Sequence, residues 1–361
     1  MQPDGLGMKG STVPQAIEVK TLDPLSDSDW DHAVLSHPDC DFFHSAAWAK
    51  VLRKTYRHQP TYLHFSRQGK LVALVPMMEV RSSLTGCRGV CLPFSDFCDP
   101  LMFVRAEAGL ILDKLSELGR ERNWKYFELR GGQKTLPTAA VPVTRFYGHK
   151  LSLSGSSEDL LARVASPVRR AIRKAKKSGV HVNITRTRDA ILEFYRLHMR
   201  TRRRHGLPPQ PLSFFLNIYE EILKAGQGFV ALAKRGSEFL AGAVFFQFGK
   251  KGVYKFGASD ELLQEFRGSN LVMSEAIRFL FSEGATVLHF GRTSLDNDGL
   301  RRFKLGWGSV EETIDYFQFD IRAQAWNRDS RNGSGFHNNI FRALPLVLNR
   351  FAGAVIYPHL D

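Results

Sequence analysis

No apolar run in this sequence approaches the roughly 20 residues that cross a bilayer. The opening stretch, Met1–Ser11, is polar and glycine-rich and lacks the hydrophobic segment of a signal peptide. The chain therefore reads as cytoplasmic, either free or peripheral to the inner face of a membrane. Cysteine is scarce: Cys40, Cys87, Cys91 and Cys98 are the only four, and no two form a CxxC pair. That spacing favours buried or free thiols over a zinc site, so no metal is expected. A G-x-S-x-G elbow, a G-x-x-x-x-G-K-[ST] loop, a G-x-G-x-x-G turn after a strand and an HExxH helix are all missing. Their absence argues against serine hydrolysis, ATP hydrolysis, dinucleotide use and zinc-protease chemistry. Acidic residues are in deficit, 36 against 50 Lys plus Arg, leaving a net charge of +14. Such an excess suits a polyanionic partner (nucleic acid, an anionic membrane or a phosphate-bearing substrate), although a merely basic surface would show it too.

With 361 residues, 43% hydrophobic and 24% charged, the chain is an ordinary globular sequence long enough for two domains. Residues 1–21 read as a disordered leader. Ser45 caps a helix carrying Trp48, Val51, Leu52 and Tyr56 on one face. Thr61–Phe65 and Lys70–Val80 follow as strands joined through Gln68–Gly69, with Pro76 pushing the second toward an edge or a bulge. Gly86–Leu101 reads as a loop-rich segment, Ala108–Asn123 as helix, and Trp124–Arg130 as a strand ending at Gly131–Gly132. The same order returns later: helix Leu212–Ala225, strands Gly228–Ala233, Phe239–Phe248 and Gly252–Gly257, helix Asn270–Glu283, and strand Thr286–Phe290 ending at Gly291. A duplicated α/β unit is the simplest explanation. It divides the chain into a first domain at 22–150, a basic helical segment at 151–211, a second domain at 212–322 and a C-terminal loop and helix at 323–361. That last helix, broken at Pro345, reads as packed on the body, with a membrane-surface helix as the alternative.

Two stretches stand apart from core patterning. The helix from Ser166 to Lys177 carries Arg169, Arg170, Arg173 and Lys174 with no acidic residue between them, and a second helix ends in Arg200, Arg202, Arg203, Arg204 and His205. Basic residues in a last turn also satisfy the helix dipole, but two such clusters exceed that need and suit phosphate. The other stretch is HFGRTSLDNDGLRRFKLGWG, His289–Gly308, where a strand stops at Gly291–Arg292 and a polar loop leads into Arg301–Lys304 and Gly306–Gly308. Glycine permits close backbone approach and the cations supply fixed charge, so this stretch is the expected centre of the site. The turn Gln264–Asn270, with Arg267, Gly268 and Asn270 at a helix start, offers a further anion site, or an ordinary cap.

Several of these stretches together resemble the Fem-type peptidyltransferases and FemAB-related proteins of the GNAT acyltransferase superfamily: FHSAAW at Phe43–Trp48, VRRAIRKAKKSGV at Val168–Val180, FYRLHMRTRRRHGLPPQP at Phe194–Pro211, and the Lys304 segment. The resemblance spans most of residues 40–320. It implies tandem GNAT-like α/β domains, each a mixed, mostly antiparallel sheet flanked by helices, with the basic helical segment inserted between or within them. It also implies transfer of an acyl or aminoacyl group from an activated donor to an amine of an envelope, peptidoglycan-precursor or exopolysaccharide-related acceptor. Aminoacyl-tRNA or acyl-CoA would serve as co-substrate, with no tightly bound cofactor. Gln264–Asn270 fits the [RQ]-x-x-G-x-[GA] pyrophosphate loop of single GNAT enzymes only with a one-residue slip.

On this resemblance Lys304 is expected to contact the developing oxyanion or donor carbonyl, and Arg292 to assist. Asp296, or else Asp298, would accept the amine proton. Phe303, Trp307 and Arg301 would bind substrate, with Ser95, Asp96 and Arg130 completing the acceptor side and the basic helix holding phosphates of donor or acceptor, tRNA included. An acyl-CoA-dependent small-molecule N-acetyltransferase and a non-enzymatic nucleic-acid-binding module are the rival readings.

Overall fold

The computed structural model describes residues 17–104, 108–132, 136–137, 140–328 and 337–361. The first half contains β1 (Glu18–Leu22), α1 (Trp30–Leu35), α2 (Ala46–Tyr56), β2 (Gln59–Pro60), β3 (Tyr62–Arg67), β4 (Lys70–Val75), β5 (Met78–Ser82) and β6 (Gly86–Val90). It continues through β7 (Leu101–Met102), α3 (Ala108–Glu121), β8 (Tyr126–Arg130) and β9 (Thr144–Ser152). Next come α4 (Ser157–Arg163), α5 (Ser166–Lys177), β10 (His181–Thr185), α6 (Arg188–Arg204), α7 (Leu212–Ile218), β11 (Gly228–Arg235), β12 (Glu238–Phe248) and β13 (Lys251–Ser259). The chain ends with α8 (Gly268–Ser282), β14 (Val287–His289), β15 (Thr293–Ser294), α9 (Asp298–Leu305), β16 (Val310–Asp320), β17 (Ala325–Trp326), α10 (His337–Ala343) and α11 (Leu346–Ile356).

The mixed, mostly antiparallel α/β architecture is the expected one, and it has one unexpected property. Among the described residues the two halves share a single 13-stranded sheet, whose path runs β10-β11-β12-β13-β14-β9-β16-β8-β6-β5-β2. Strand β9 pairs with β14 on one side and β16 on the other, and β16 in turn pairs with β8 of the first half. Residue 150, the expected domain boundary, therefore lies inside a central strand. Hydrophobic periodicity does not mark β9, because its sequence TRFYGHKLS carries Arg145, His149 and Lys150.

One other expectation is corrected. The leader was expected to reach residue 21, but Glu18–Leu22 pairs along β3; of the leader, residues 1–16 lie outside the described ones. The loosening expected over Asn327–Gly335 lies, from residue 329 on, outside them as well. The loop-rich Gly86–Leu101 opens with a strand: β6 pairs antiparallel with β5 and parallel with β8. Its glycine is a packing requirement, since a Cβ on Gly89 would stand 2.2 Å from the Trp124 ring. Pro76 ends β4, and the chain passes from the small sheet β1-β3-β4-β7 into the large one.

Aromatic side chains weld the halves together. Phe42 stacks on Phe246 with ring centroids 4.4 Å apart, and Trp48 lies 5.9 Å from Phe214 and 5.8 Å from Phe246. The Trp48 indole donates to the Pro93 carbonyl at 3.3 Å, which ties α2 to the loop after β6. Burying side chains of this size is worth about 1.5–3 kcal/mol each, so the FHSAAW stretch is the wedge that fixes how the first half meets the second.

Candidate functional site

Strand β14 pairs with β13 only over Lys251–Val253 and then leaves it. Gly291, at φ 69°, turns the chain where the two diverge. A Cβ there would sit 3.0 Å from an Asp96 carboxylate oxygen and 3.3 Å from the Tyr254 carbonyl, so glycine is what lets Asp96 of the first half enter. Lys255 Nζ donates to Asp96 Oδ2 at 3.1 Å and to the Phe94 carbonyl at 2.6 Å. Arg292 stands 3.9 Å from Asp96 Oδ1 and donates to the Tyr316 hydroxyl at 2.8 Å, while that hydroxyl donates to the Asp96 carbonyl at 2.9 Å. Arg130 reaches the same loop from β8, donating to the Ser95 carbonyl at 3.1 Å and to Glu128 at 2.8 Å. From the opposite face, Lys304 Nζ donates to the carbonyls of Gly291 at 2.9 Å and Arg292 at 3.0 Å.

The electrostatics follow from burial. Burial alone would raise the Asp96 carboxyl, but Lys255 and Arg292 outweigh it and leave Asp96 below the usual carboxylate range. Lys255 is held below the ordinary lysine value because burial exceeds the help it gets from Asp96. Burial pushes Lys304 down to about 7. A neutral Lys304 amine still has two N–H bonds, matching the two carbonyls it contacts.

Beside this cluster opens a cleft of about 630 Å³, lined by both halves. Its wall carries His289, Glu312 and Lys150 on one side and Asp41, Asp99 and Gly131–Gly132 on the other. His289 Nδ1 accepts the Gly291 N–H at 2.9 Å, so the ring proton lies on Nε2, 3.0 Å from Glu312. Burial lowers His289 despite Glu312 and keeps the ring neutral. Burial raises Glu312, but His289 and Lys150 overcome it and hold this carboxylate at about 2. Asp99 behaves in the opposite way. Burial raises its carboxyl above the ordinary value although it accepts the Gly132 N–H.

The structure therefore brings Ser95, Asp96, Arg130, Arg292 and Lys304 together. Arg130 and Lys304 are buried and hold backbone carbonyls, whereas Arg292 keeps 37% of its side chain exposed. Arg301 is occupied by a two-point pair with Glu311, at 2.6 and 2.8 Å, and lies over the Tyr147 ring. Trp307 is 1% exposed within the core of the second half, and Phe303 packs beside it; neither lines the 630 Å³ cleft. Asp296 is exposed in the turn before α9 and Asp298 opens that helix, away from the Asp96 cluster's contacts. Arg169, Arg170, Arg173 and Lys174 project from α5, which packs on α8. Arg267, with φ 58°, caps α8; Gly268 is pressed against Leu240 and Ala241, and Asn270 follows in the first turn. The second basic cluster is largely used internally: Arg200 pairs with Asp260, Arg202 with the Pro208 carbonyl and Tyr357, and Arg203 with the Arg342 carbonyl.

Sequence reasoning missed Lys255, Tyr316, Glu312, Lys150 and Asp99. The first four sit on strands where alternation disguises them. Asp99 was visible only as part of the Cys87–Leu101 stretch, next to the singled-out Asp96.

Residues 162–309 match the acetyltransferase (GNAT) domain family model. The fold is that of the GNAT acyltransferases. Among solved structures, FemX superposes with a TM-score of 0.66 at 16% identity, covering 82% of this chain and 96% of that one. A tandem GNAT protein from the clavulanic acid biosynthesis pathway gives 0.53 at 10% identity, covering 85% and 99%. The C-terminal domain of a putative lysylphosphatidylglycerol synthetase from Agrobacterium fabrum gives 0.50 at 12%, covering 75% and 85%. No curated protein sequence matches the chain. At these identities the likeness is one of fold, and it agrees with the FemAB-related, tandem-GNAT architecture expected from the sequence.

Proposed function

We propose that this GNAT-fold protein transfers an acyl or aminoacyl group from an activated donor to an amine bound in the cleft between its halves. The observation that carries the reading is the cleft wall itself. Five carboxylates line it, Asp39, Asp41, Asp99, Glu312 and Asp315, against two lysines, Lys150 and Lys251; Glu312 pairs with Lys150 and Asp315 with Arg145, and the remaining acidic excess within a chain of net charge +14 suits an amine acceptor. Asp99 is the proton acceptor in this reading, replacing Asp296. Its raised pKa brings it nearer to the working range of a general base, and Gly132 orients it.

The chemistry needs no covalent enzyme intermediate, because the donor ester or thioester is already activated. The amine nitrogen attacks the donor carbonyl, its proton passes to Asp99, and the donor's oxygen or sulfur leaves. Arg292, the exposed cation of the cluster beside the cleft though not part of its lining, is the group this reading assigns to the developing oxyanion. Lys304 acts through it, as a positioning residue that holds the Gly291 and Arg292 carbonyls.

An aminoacyl-tRNA donor is favoured by the resemblance to the Fem-type peptidyltransferases and by the open basic face of α5; acyl-CoA is the alternative. An envelope, peptidoglycan-precursor or exopolysaccharide-related acceptor, phosphate-bearing or saccharide, accords with the same likeness. Titration with tRNA and with acyl-CoA at two salt concentrations separates the donors. Binding of tRNA whose salt slope falls by about 1 for each of Arg170→Gln and Arg173→Gln supports aminoacyl transfer. Absence of tRNA binding at low salt, with saturable acyl-CoA binding, defeats it. The nucleic-acid-module reading predicts affinity without transfer, and the internal engagement of the Arg200–Arg203 cluster leaves it less basic surface.

A further inference from the structure

Helix α11 buries its small side and exposes its large one. Asn349, Gly353 and Tyr357 follow at four-residue intervals and face the body. A Cβ on Gly353 would stand 1.9 Å from the Pro209 carbonyl, and the Tyr357 hydroxyl donates to the Pro208 carbonyl at 3.2 Å. The opposite side carries Val347, Phe351 and Val355, again four apart, at 73%, 70% and 50% exposure, with Leu348 beside them at 53%. Ile340 on the preceding helix α10 is likewise exposed, at 53%. Packing has thus placed the bulky apolar residues in solvent, where a stripe this continuous has a cost unless something covers it.

The surrounding charge has one sign. Arg342 and Arg350 are exposed on the same hairpin, and Arg203 of α6 donates to the Arg342 carbonyl, which brings the basic end of α6 alongside. From His337 to Asp361 the sole acidic residue is Asp361, and it is paired with Arg88. Among the described residues no helix is long and apolar enough to cross a membrane. An apolar stripe flanked by arginines on a short surface helix suits the boundary between headgroups and acyl chains of an anionic bilayer.

We propose that α10–α11 is a membrane-docking hairpin. It lays Val347, Leu348, Phe351 and Val355 into the surface of an anionic leaflet, while Arg342 and Arg350 meet lipid phosphates. The proposal uses none of the residues assigned to transfer, so either reading can fail without the other.

Flotation of the full chain with phosphatidylcholine vesicles, and with vesicles containing about one third phosphatidylglycerol, tests it. The expected result is binding to the anionic vesicles, weakened by salt. The Val347→Ser/Phe351→Ser variant should lose most of it, and Arg342→Gln and Arg350→Gln about fivefold each. Phe351→Trp should show a blue-shifted emission on adding anionic vesicles, a readout that does not depend on loss of function. Equal binding to neutral vesicles, unchanged binding by the Ser variant, or no vesicle binding with a Trp emission already blue-shifted would each overturn the proposal. Concentration-dependent dimerisation abolished by the same Ser variant, without vesicle binding, would assign the stripe to a second copy of the chain instead.

Discussion

Two aspartates of one short loop stand under two glycine-terminated strand ends. Asp99 lies beneath Gly131–Gly132 at the end of β8, and Asp96 beneath Gly291 at the end of β14. In both places the glycine has positive φ and a Cβ would strike the carboxylate. The difference lies in what else is near. Asp96 has Lys255 at 3.1 Å and Arg292 at 3.9 Å and is driven below its ordinary pKa, while Asp99 has a backbone N–H and is driven above it. Equivalent backbone settings have thus produced an anchoring ion pair on one side and, on the other, a carboxyl with a raised pKa that the proposed reaction uses as its proton acceptor.

The sharpest way to break this contrast is Asp99→Asn, which keeps an acceptor for Gly132 but cannot take a proton. Transfer should fall by about 10²–10⁴-fold with the fold intact. In the unsubstituted protein, transfer should rise with pH through a carboxylate value displaced upward, and a rate insensitive to Asp99→Asn would remove Asp99 from the mechanism. Asp96→Ala should act on stability instead. It strands Lys255 in the interior and should cost about 3–5 kcal/mol in urea unfolding.

The pH slopes of stability should also be opposite. Asp96, with its pKa depressed by folding, contributes stability that is present above the unfolded value and lost as pH falls through the folded one. Asp99, with its pKa raised, contributes stability that fades as pH rises through the folded value, so Asp99→Asn should be relatively more stable above it. Equal slopes for the two variants would erase the distinction.

Lys304→Met is the mildest of the three. It leaves two buried carbonyls short of a donor, at about 1–3 kcal/mol. Because folding lowers Lys304 to about 7, the unfolded chain binds the extra proton between there and the ordinary lysine value, and stability should rise with pH across that window. The Met variant should lose this rise. If Lys304 only positions Arg292, Lys304→Met and Arg292→Lys should not multiply in a double-mutant cycle of transfer rates.

Much of the architecture was legible because helical and strand periods are strong where one face is buried. The helices around Trp48, Leu115 and Ile277 and the strands around Ala231 and Val244 fall close to where periodicity places them. Strand β9 was not legible, since its pairing on both edges is satisfied by a polar sequence. Around the candidate site, the glycine and charge density of His289–Lys304 marked the strand end, and Ser95, Asp96 and Arg130 the loop, that the structure brings together. The contacts of Lys304 were not legible for a physical reason: sequence shows that Lys304 is near, but not that its side-chain nitrogen donates to two backbone carbonyls. Trp307 likewise resembles a ligand-stacking residue in sequence and is core in space.

The sheet that passes through β14, β9, β16 and β8 has a mechanical consequence. Two lobes on a linker can gape and shut like a clamshell, but lobes stitched by shared hydrogen-bonded strands cannot do so without tearing the ladder. The cleft is therefore closer to a mould than to a jaw: its width is set when the chain folds, and an acceptor must match that shape on arrival. In the proposed reaction, selectivity would then fall to the fixed walls, where Asp99 and His289 line the cleft.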